Sequence, residues 1–196
     1  MDVLPFFESS GAYLKGHFLL TSGLHSPEYL QSARVLQFPP LAEQIGAALA
    51  FQLKALTGAT PIGLVVAPAL GGLIIGHEVA RSLGTPFIFT ERDSEGKMAL
   101  RRGFTANPGT TAVVVEDVVT TGGSTREVIE LLRAHGVHTA AAGSIIDRSG
   151  GKAQLAGVPY AALATLAVSS YVPEECPLCA NGLPAVKPGS RPSAPD

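Results

Sequence analysis

One run constrains this chain more than any other: Val113-Val114-Val115-Glu116-Asp117-Val118-Val119-Thr120-Thr121-Gly122-Gly123-Ser124-Thr125. An apolar, β-branched segment, the pattern of a buried strand, runs into two adjacent carboxylates. Small hydroxyl residues and glycines follow, and Arg126-Glu127-Val128-Ile129-Glu130-Leu131-Leu132 then reads as an amphipathic helix. The loop is therefore expected at the carboxyl end of a strand and the amino end of a helix. Unpaired backbone N–H groups and the helix dipole favour a phosphate there. Gly122 and Gly123 let the main chain approach an anion closely, and Thr120, Thr121, Ser124 and Thr125 add hydroxyl donors. Two carboxylates would repel that phosphate, so they suit sugar hydroxyls, or Mg²⁺ held through water. A ribose 5-phosphate needs all three features. A plain capped strand–turn–helix explains the serine and the glycines but not the acid pair. A P-loop needs a Lys after its last glycine, and the G-x-G-x-x-G dinucleotide fingerprint is also absent.

The rest of the chain supplies the scaffold for such a loop. A short helix is expected at 3–10, and an irregular segment at 11–31 with a strand near 18–20. Pro39-Pro40 opens a long helical pattern in which Leu41, Ile45, Ala48, Leu49 and Leu53 share a face, closed by Gly58. Buried-type strands follow at 62–66 and 87–89, separated by a helix from Gly71-Gly72 to about Gly84. The helix after the acid pair ends at Gly136, and strands are expected at 140–146 and 160–166. Strands alternating with helices over short connections imply an α/β fold, a mostly parallel sheet flanked by helices. Ligands of such sheets bind outside the carboxyl ends of the strands.

At 196 residues, with 46% hydrophobic and 15% charged side chains, one domain over 1–196 is expected. A net charge of −2 argues against a nucleic-acid or membrane-surface footprint. No apolar stretch reaches transmembrane length, and Met1-Asp2-Val3-Leu4-Pro5 lacks the basic start of a signal peptide. A cytoplasmic location is therefore expected.

The signature run resembles the phosphoribosyl-pyrophosphate (PRPP) motif of the type I phosphoribosyltransferases: four apolar residues, two acids, two apolar residues, then a Thr/Gly-rich loop. A second segment narrows the resemblance. Ser22-Gly23-Leu24-His25-Ser26, followed by Tyr29, is similar to the Ser-Gly-x-x-Ser hood segment of orotate phosphoribosyltransferases, and Ile145-Ile146-Asp147-Arg148 is similar to the Asp-Arg they carry beyond the signature helix. The resemblance covers about residues 3–170.

It implies a type I phosphoribosyltransferase fold with a small hood at 1–36 and a Pro/Gly-rich tail at 173–196, whose last residues are expected to be disordered. It implies that PRPP is held by Glu116, Asp117, Val118, Val119, Thr120, Thr121, Gly122, Gly123 and Ser124. The loop Ala67-Pro68-Ala69-Leu70-Gly71-Gly72 would grip pyrophosphate through Ala69, Leu70 and Gly71. Orotate would be met by Thr120, Arg148, Ser22 and Gly23; an Arg suits an anionic, carboxylate-bearing base. The cofactor implied is Mg²⁺, held mainly by PRPP, and the partner implied is a second copy of the chain, with no nucleic acid and no membrane. The runner-up is a purine enzyme such as adenine phosphoribosyltransferase. The other alternative is a regulator that binds PRPP without turning it over.

The stretch 91–103 is too polar and too long for an ordinary connection, and holds four of the fourteen Lys and Arg residues. It reads as a mobile loop that neutralises the leaving group and excludes water, with a solvated hairpin as the plainer alternative. Lys97 is the expected catalytic residue of this loop and Arg92 the reserve, beside Asp117 at the sugar. The chain departs from the family pattern at Thr21, where Lys is common, at Glu116, where Asp is common, and in a loop with no histidine. Cys176-Pro177-Leu178-Cys179 offers half the ligands of a zinc site. A reduced pair or an occasional disulfide is favoured over a metal, and a zinc shared across a dimer stays open. His17, His77, His135 and His138 are read as structural or surface residues.

Overall fold

Alternate residues of the central strands feed two different cores. The computed structural model describes residues 1–20 and 22–188. Its main sheet is assembled from β3 (Leu64–Pro68), β4 (Phe87–Arg92), β5 (Met98–Leu100), β6 (Thr111–Val119), β7 (His138–Asp147) and β8 (Tyr160–Thr165), in the order β5-β4-β3-β6-β7-β8. All neighbours are parallel except β4 and β5. Val65, Val113, Val115, Ala141 and Ile145 face one core, while Leu64, Val66, Ala112, Val114 and Ala142 face the other. This two-residue alternation of wholly apolar side chains explains why the strands read as continuous hydrophobic runs.

Helices α3 (Pro39–Thr57) and α4 (Gly72–Leu83) cover the first face, with α1 (Leu4–Ser9) and α2 (Ala33–Leu36) beside them; α5 (Gly123–Ala134) covers the second. Pro39 starts α3, where a missing N–H costs nothing, and Gly58 ends it at φ +58°. Its Ile45, Leu49 and Leu53 are fully buried, each stabilising the fold by about 1.5–3 kcal/mol through burial. Gly143 of β7 leaves the room they need: a Cβ there would meet Leu49 Cδ1 at 3.0 Å and Leu53 Cδ2 at 3.1 Å.

Three expectations are corrected. The segment 11–31 is not irregular: β1 (Tyr13–Leu19) and β2 (His25–Leu30) form an antiparallel hairpin with a register shift between Lys15 and Phe18. Gly16, Pro27 and that shift break the two-residue rhythm, and the strands pair with each other rather than with the main sheet. The polar stretch 91–103, expected as a mobile loop with a solvated hairpin as the alternative, contains β5, which pairs back on β4 through Thr90, Glu91 and Arg92, so its local structure is the hairpin. His17 does have partners: with His25 it lies against Cys176 and Cys179, both free thiols. The cysteines sit in and beside α6 (Pro177–Ala180), which follows a 3₁₀ turn at Pro173–Glu175. The expected disorder of the last residues and the departure at Thr21 lie outside the described residues.

Candidate active site

Strands β3, β6 and β7 all run the same way, so their carboxyl ends deliver three loops to one edge. From β6 comes the acid pair and the Thr/Gly loop. Gly122 takes φ +75° as the residue before α5 and offers no side-chain cap, which leaves the first-turn N–H groups of the helix for a ligand. Arg126 braces this loop: its Nη1 donates to the Thr121 carbonyl at 2.7 Å and to the Gln154 carbonyl at 3.2 Å.

The two acids differ in environment. Glu116 is buried, 9% exposed, and Asp117 half-buried. Burial, reinforced by the neighbouring Asp117 carboxylate, pushes the Glu116 carboxyl well above the usual carboxylate range. Glu116 is thereby driven toward its neutral, hydroxyl-like form. From β3 comes the loop of Ala69, Leu70 and Gly71, whose Ala69–Leu70 peptide is cis. Gly71 runs so close to the acid pair that a Cβ on it would stand 2.5 Å from Asp117 Oδ1. Leu70 points outward, 70% exposed.

From β7 comes Asp147-Arg148. Buried Asp147 accepts the backbone N–H of Ser149 at 2.7 Å and of Gly151 at 3.1 Å, which fixes the turn carrying Arg148. Arg148 Nη2 reaches the β1–β2 hairpin, donating to Ser26 Oγ at 3.0 Å and to the Glu28 carbonyl at 3.2 Å. Its Nε is buried without a partner among the described residues. Burial lowers the Arg148 pKa, opposed by Glu28, Tyr29 and Tyr13, yet a guanidinium stays charged throughout the ordinary pH range. The half-buried Tyr29 has its phenol pKa raised by burial and by the field of Asp117, with Arg148 opposing, so this ring lies within electrostatic reach of both groups.

The structure thus brings Glu116, Asp117, Thr120 to Ser124, Gly71 and Arg148 to one edge. Ser22 and Gly23 sit exposed in the hairpin turn, where Gly23 N–H donates to the Leu20 carbonyl at 3.0 Å. The contact to Arg148 comes instead from Ser26, the second serine of the same segment, and the sequence reading omitted it. Lys97 and Arg92 bind elsewhere: Lys97 Nζ lies 2.7 Å from Glu95 Oε2, and Arg92 forms a two-pronged pair with Glu127 of α5 at 2.8 and 3.1 Å.

A family model for the phosphoribosyl transferase domain matches residues 33–161. An orotate phosphoribosyltransferase of Heliobacterium modesticaldum is 51% identical over 190 residues, covering 97% of each chain, and that of Thermotoga maritima is 51% identical over 184 residues, covering 94% of this chain and 95% of its own. Among solved structures, the orotate phosphoribosyltransferase of Aeropyrum pernix superposes with a TM-score of 0.68 at 28% identity, over 84% of this chain and 93% of that one. An adenine phosphoribosyltransferase of Thermoanaerobacter pseudethanolicus shares the fold, with a TM-score of 0.59 at 16% identity over 71% of this chain and 88% of that one. The chain belongs to the phosphoribosyl transferase family and, within it, to the orotate phosphoribosyltransferases.

Proposed function

We propose that this chain transfers the 5-phosphoribosyl group of PRPP to orotate, giving orotidine 5′-monophosphate and pyrophosphate, a step of pyrimidine (UMP) biosynthesis. The observation that carries the reading is Arg148. A half-buried guanidinium with an unspent Nε–H suits a planar, carboxylate-bearing base, and adenine offers no carboxylate.

In this reading the backbone of residues 120–124 cradles the 5′-phosphate at the start of α5. Asp117 accepts from a ribose hydroxyl, and Glu116, kept toward its neutral form, binds the neighbouring one. Ala69, Leu70 and Gly71 present main chain to the pyrophosphate. The C1′–oxygen bond to pyrophosphate breaks while a ring nitrogen of orotate attacks C1′, which carries oxocarbenium character in between. Pyrophosphate leaves with the bonding pair and takes up the proton that the attacking ring nitrogen gives up. Such a step needs no strong protein nucleophile; positioning and charge stabilisation supply the rate. Lys97, with Arg92 in reserve, neutralises the leaving group once the β4–β5 hairpin bends over it.

Mg²⁺ prefers hard oxygen donors and keeps several waters. The accessible Asp117 carboxylate fits that preference, directly or through water, and the buried Glu116 fits it poorly. When bound with PRPP, the ion would neutralise pyrophosphate charge. The reading includes a cytoplasmic enzyme working as a homodimer. Phe51 and Ile74, 75% and 44% exposed on the packed helices α3 and α4, support an apolar contact surface. Among the described residues, no helix is long and apolar enough to cross a membrane.

The test is orotate absorbance with PRPP and Mg²⁺, run beside adenine, hypoxanthine and uracil, with light scattering for the oligomer. Loss of orotate only when both PRPP and Mg²⁺ are present is expected. Turnover of adenine instead, or PRPP binding with no turnover of any base, would overturn the reading.

A further inference from the structure

The strongest chemistry outside the sugar-phosphate site lies between the β1–β2 hairpin and the segment after β8. We propose that His17, His25, Cys176 and Cys179 form a structural zinc site that pins the segment after β8 onto the hairpin. Their ligand atoms all lie within 4.8 Å of one another. His17 Nε2 stands 2.8 Å from His25 Nδ1, 3.5 Å from Cys176 Sγ and 3.8 Å from Cys179 Sγ; Cys179 Sγ is 3.3 Å from His25 Nδ1. A tetrahedral zinc, with bonds of about 2.3 Å to sulfur and about 2.0–2.1 Å to nitrogen, sets N···S edges near ~3.6 Å. The three N···S distances lie within about 0.3 Å of that edge, the two nitrogens need to part by about half an ångström, and the widest pair of the four has to close from 4.8 Å.

Three further observations favour a metal over a hydrogen-bonded cluster. First, His17 Nδ1 lies 2.7 Å from the Leu183 carbonyl. A carbonyl can only accept, so a proton sits on Nδ1, and in the neutral ring Nε2 turns a bare lone pair toward His25 Nδ1 and the two sulfurs. Orientation of a ligand imidazole by a carbonyl is the usual second layer of a metal site. Second, His17, His25 and Cys176 are buried at 5%, 8% and 2% exposure, with Cys179 at the rim. Two thiolates and two neutral imidazoles cancel the charge of a divalent ion, so the filled site is neutral and suited to burial. Third, the local geometry presents the ligands in pairs. One helical turn carries Cys176 and Cys179 on the same side, and the hairpin supplies the histidines.

The site has a structural task. A lone two-stranded hairpin is marginal in water; beside the Arg148 contacts, this one is tied to the segment after β8, among the described residues, by Leu19 N–H to Val186 O, Val186 N–H to His17 O, the mutual pair of His25 and Tyr171, and Ser26 Oγ to Ser169 O at 3.2 Å. Binding is Zn²⁺ plus two thiols and two imidazoles, giving the neutral complex and two released protons. Because only the folded chain gathers all four ligands, the metal stabilises the folded state.

The full chain, without a polyhistidine tag, is grown with added zinc, purified without chelator and assayed for metals by mass spectrometry and for thiols by a chromogenic disulfide. One zinc per chain is expected, with both thiols unreactive until the metal is stripped by a strong chelator. Exchange with cobalt should give thiolate charge-transfer absorption and the intense visible bands of a tetrahedral ion. Cys179→Ser and His25→Asn should each lose zinc and melt at lower temperature. Should those variants not fold, the wild-type metal content and cobalt spectrum decide alone. A zinc-grown chain that carries no stoichiometric zinc and shows two freely reactive thiols, or a Cys176–Cys179 disulfide, overturns the site.

Discussion

Arg148 Nη2 donates to Ser26 Oγ at 3.0 Å, across 122 residues of sequence. The hairpin therefore sets where the guanidinium points, and the second serine of the segment is the one that holds it. A hydrogen bond to a charged group is worth about 1.5–3 kcal/mol. Ser26→Ala should accordingly raise the KM for orotate roughly tenfold or more, leaving the KM for PRPP near its starting value. Arg148→Ala should cost about a thousandfold in kcat/KM for orotate, and Arg148→Lys should recover little of it, because a point charge does not match a planar carboxylate. Steady-state kinetics with each substrate varied in turn checks this. Equal loss toward both substrates would remove Arg148 from the base pocket.

Glu116 couples stability to pH. Burial raises its carboxyl well above the usual range, so over a window above ordinary carboxylate titration the folded chain keeps a proton that the unfolded chain has lost. With more protons bound in the folded state, stability falls as pH rises through that window. Glu116→Gln removes the titration and keeps the shape. It should raise Tm at neutral pH and flatten the decline of Tm with pH. Melting curves of both proteins from acid to mildly alkaline pH test this. A variant that melts lower than the parent across the range would show that the carboxylate form is the stabilising one.

Much of this was legible in the sequence, for physical reasons that differ by element. The parallel strands could be read because both faces are buried, leaving uninterrupted apolar runs such as Ala112 to Val115. The strand–loop–helix of residues 113–132 was legible because its apolar strand, its glycines and its amphipathic helix each leave a separate mark in the sequence. The β1–β2 hairpin was not, since its short strands mix Lys15, Gly16, Pro27 and Glu28 with few core residues. Ser26 as the holder of Arg148, and His17 beside Cys176, were beyond reach for another reason. Spacing reports on neighbours within a turn or a strand, whereas these pairs are brought together only by the packing of the hairpin against the ends of β7 and the later chain.

Gly71 separates the needs of the fold from those of the site. Its backbone is ordinary right-handed helix, φ −57° and ψ −39°, so an alanine is free of backbone strain. A Cβ would nevertheless press on the Asp117 carboxylate, 2.5 Å from Oδ1, and that carboxylate can yield only by rotating out of place. Gly71→Ala should leave Tm nearly unchanged while weakening PRPP binding about tenfold, the worth of one displaced hydrogen bond to a charged group. Gly122→Ala should behave differently. It must adopt φ +75° and would also meet Leu155 Cδ2 at 2.5 Å, so it should lose at least about 1 kcal/mol of stability together with PRPP affinity. Calorimetric titration with PRPP beside thermal melts distinguishes the two. Equal loss of Tm in both variants would mean that Gly71 serves the fold.

Lys97 and Arg92 are separated by how firmly each is tied. The Lys97–Glu95 pair is 74% and 69% exposed, and such surface pairs contribute little, so Lys97 can release Glu95 and turn to an arriving pyrophosphate at small cost. Arg92 instead clamps the hairpin to α5 through both nitrogens on Glu127. Lys97→Ala should therefore lower kcat roughly a hundredfold, the effect of deleting one charge-stabilising donor, with Tm unmoved. Arg92→Ala should lower Tm and reduce kcat less. Measuring kcat and Tm on both variants decides the assignment: a normal kcat in Lys97→Ala with a collapsed kcat in Arg92→Ala would transfer the role to Arg92, and the hairpin would then have to break its tie to Glu127 in every turnover.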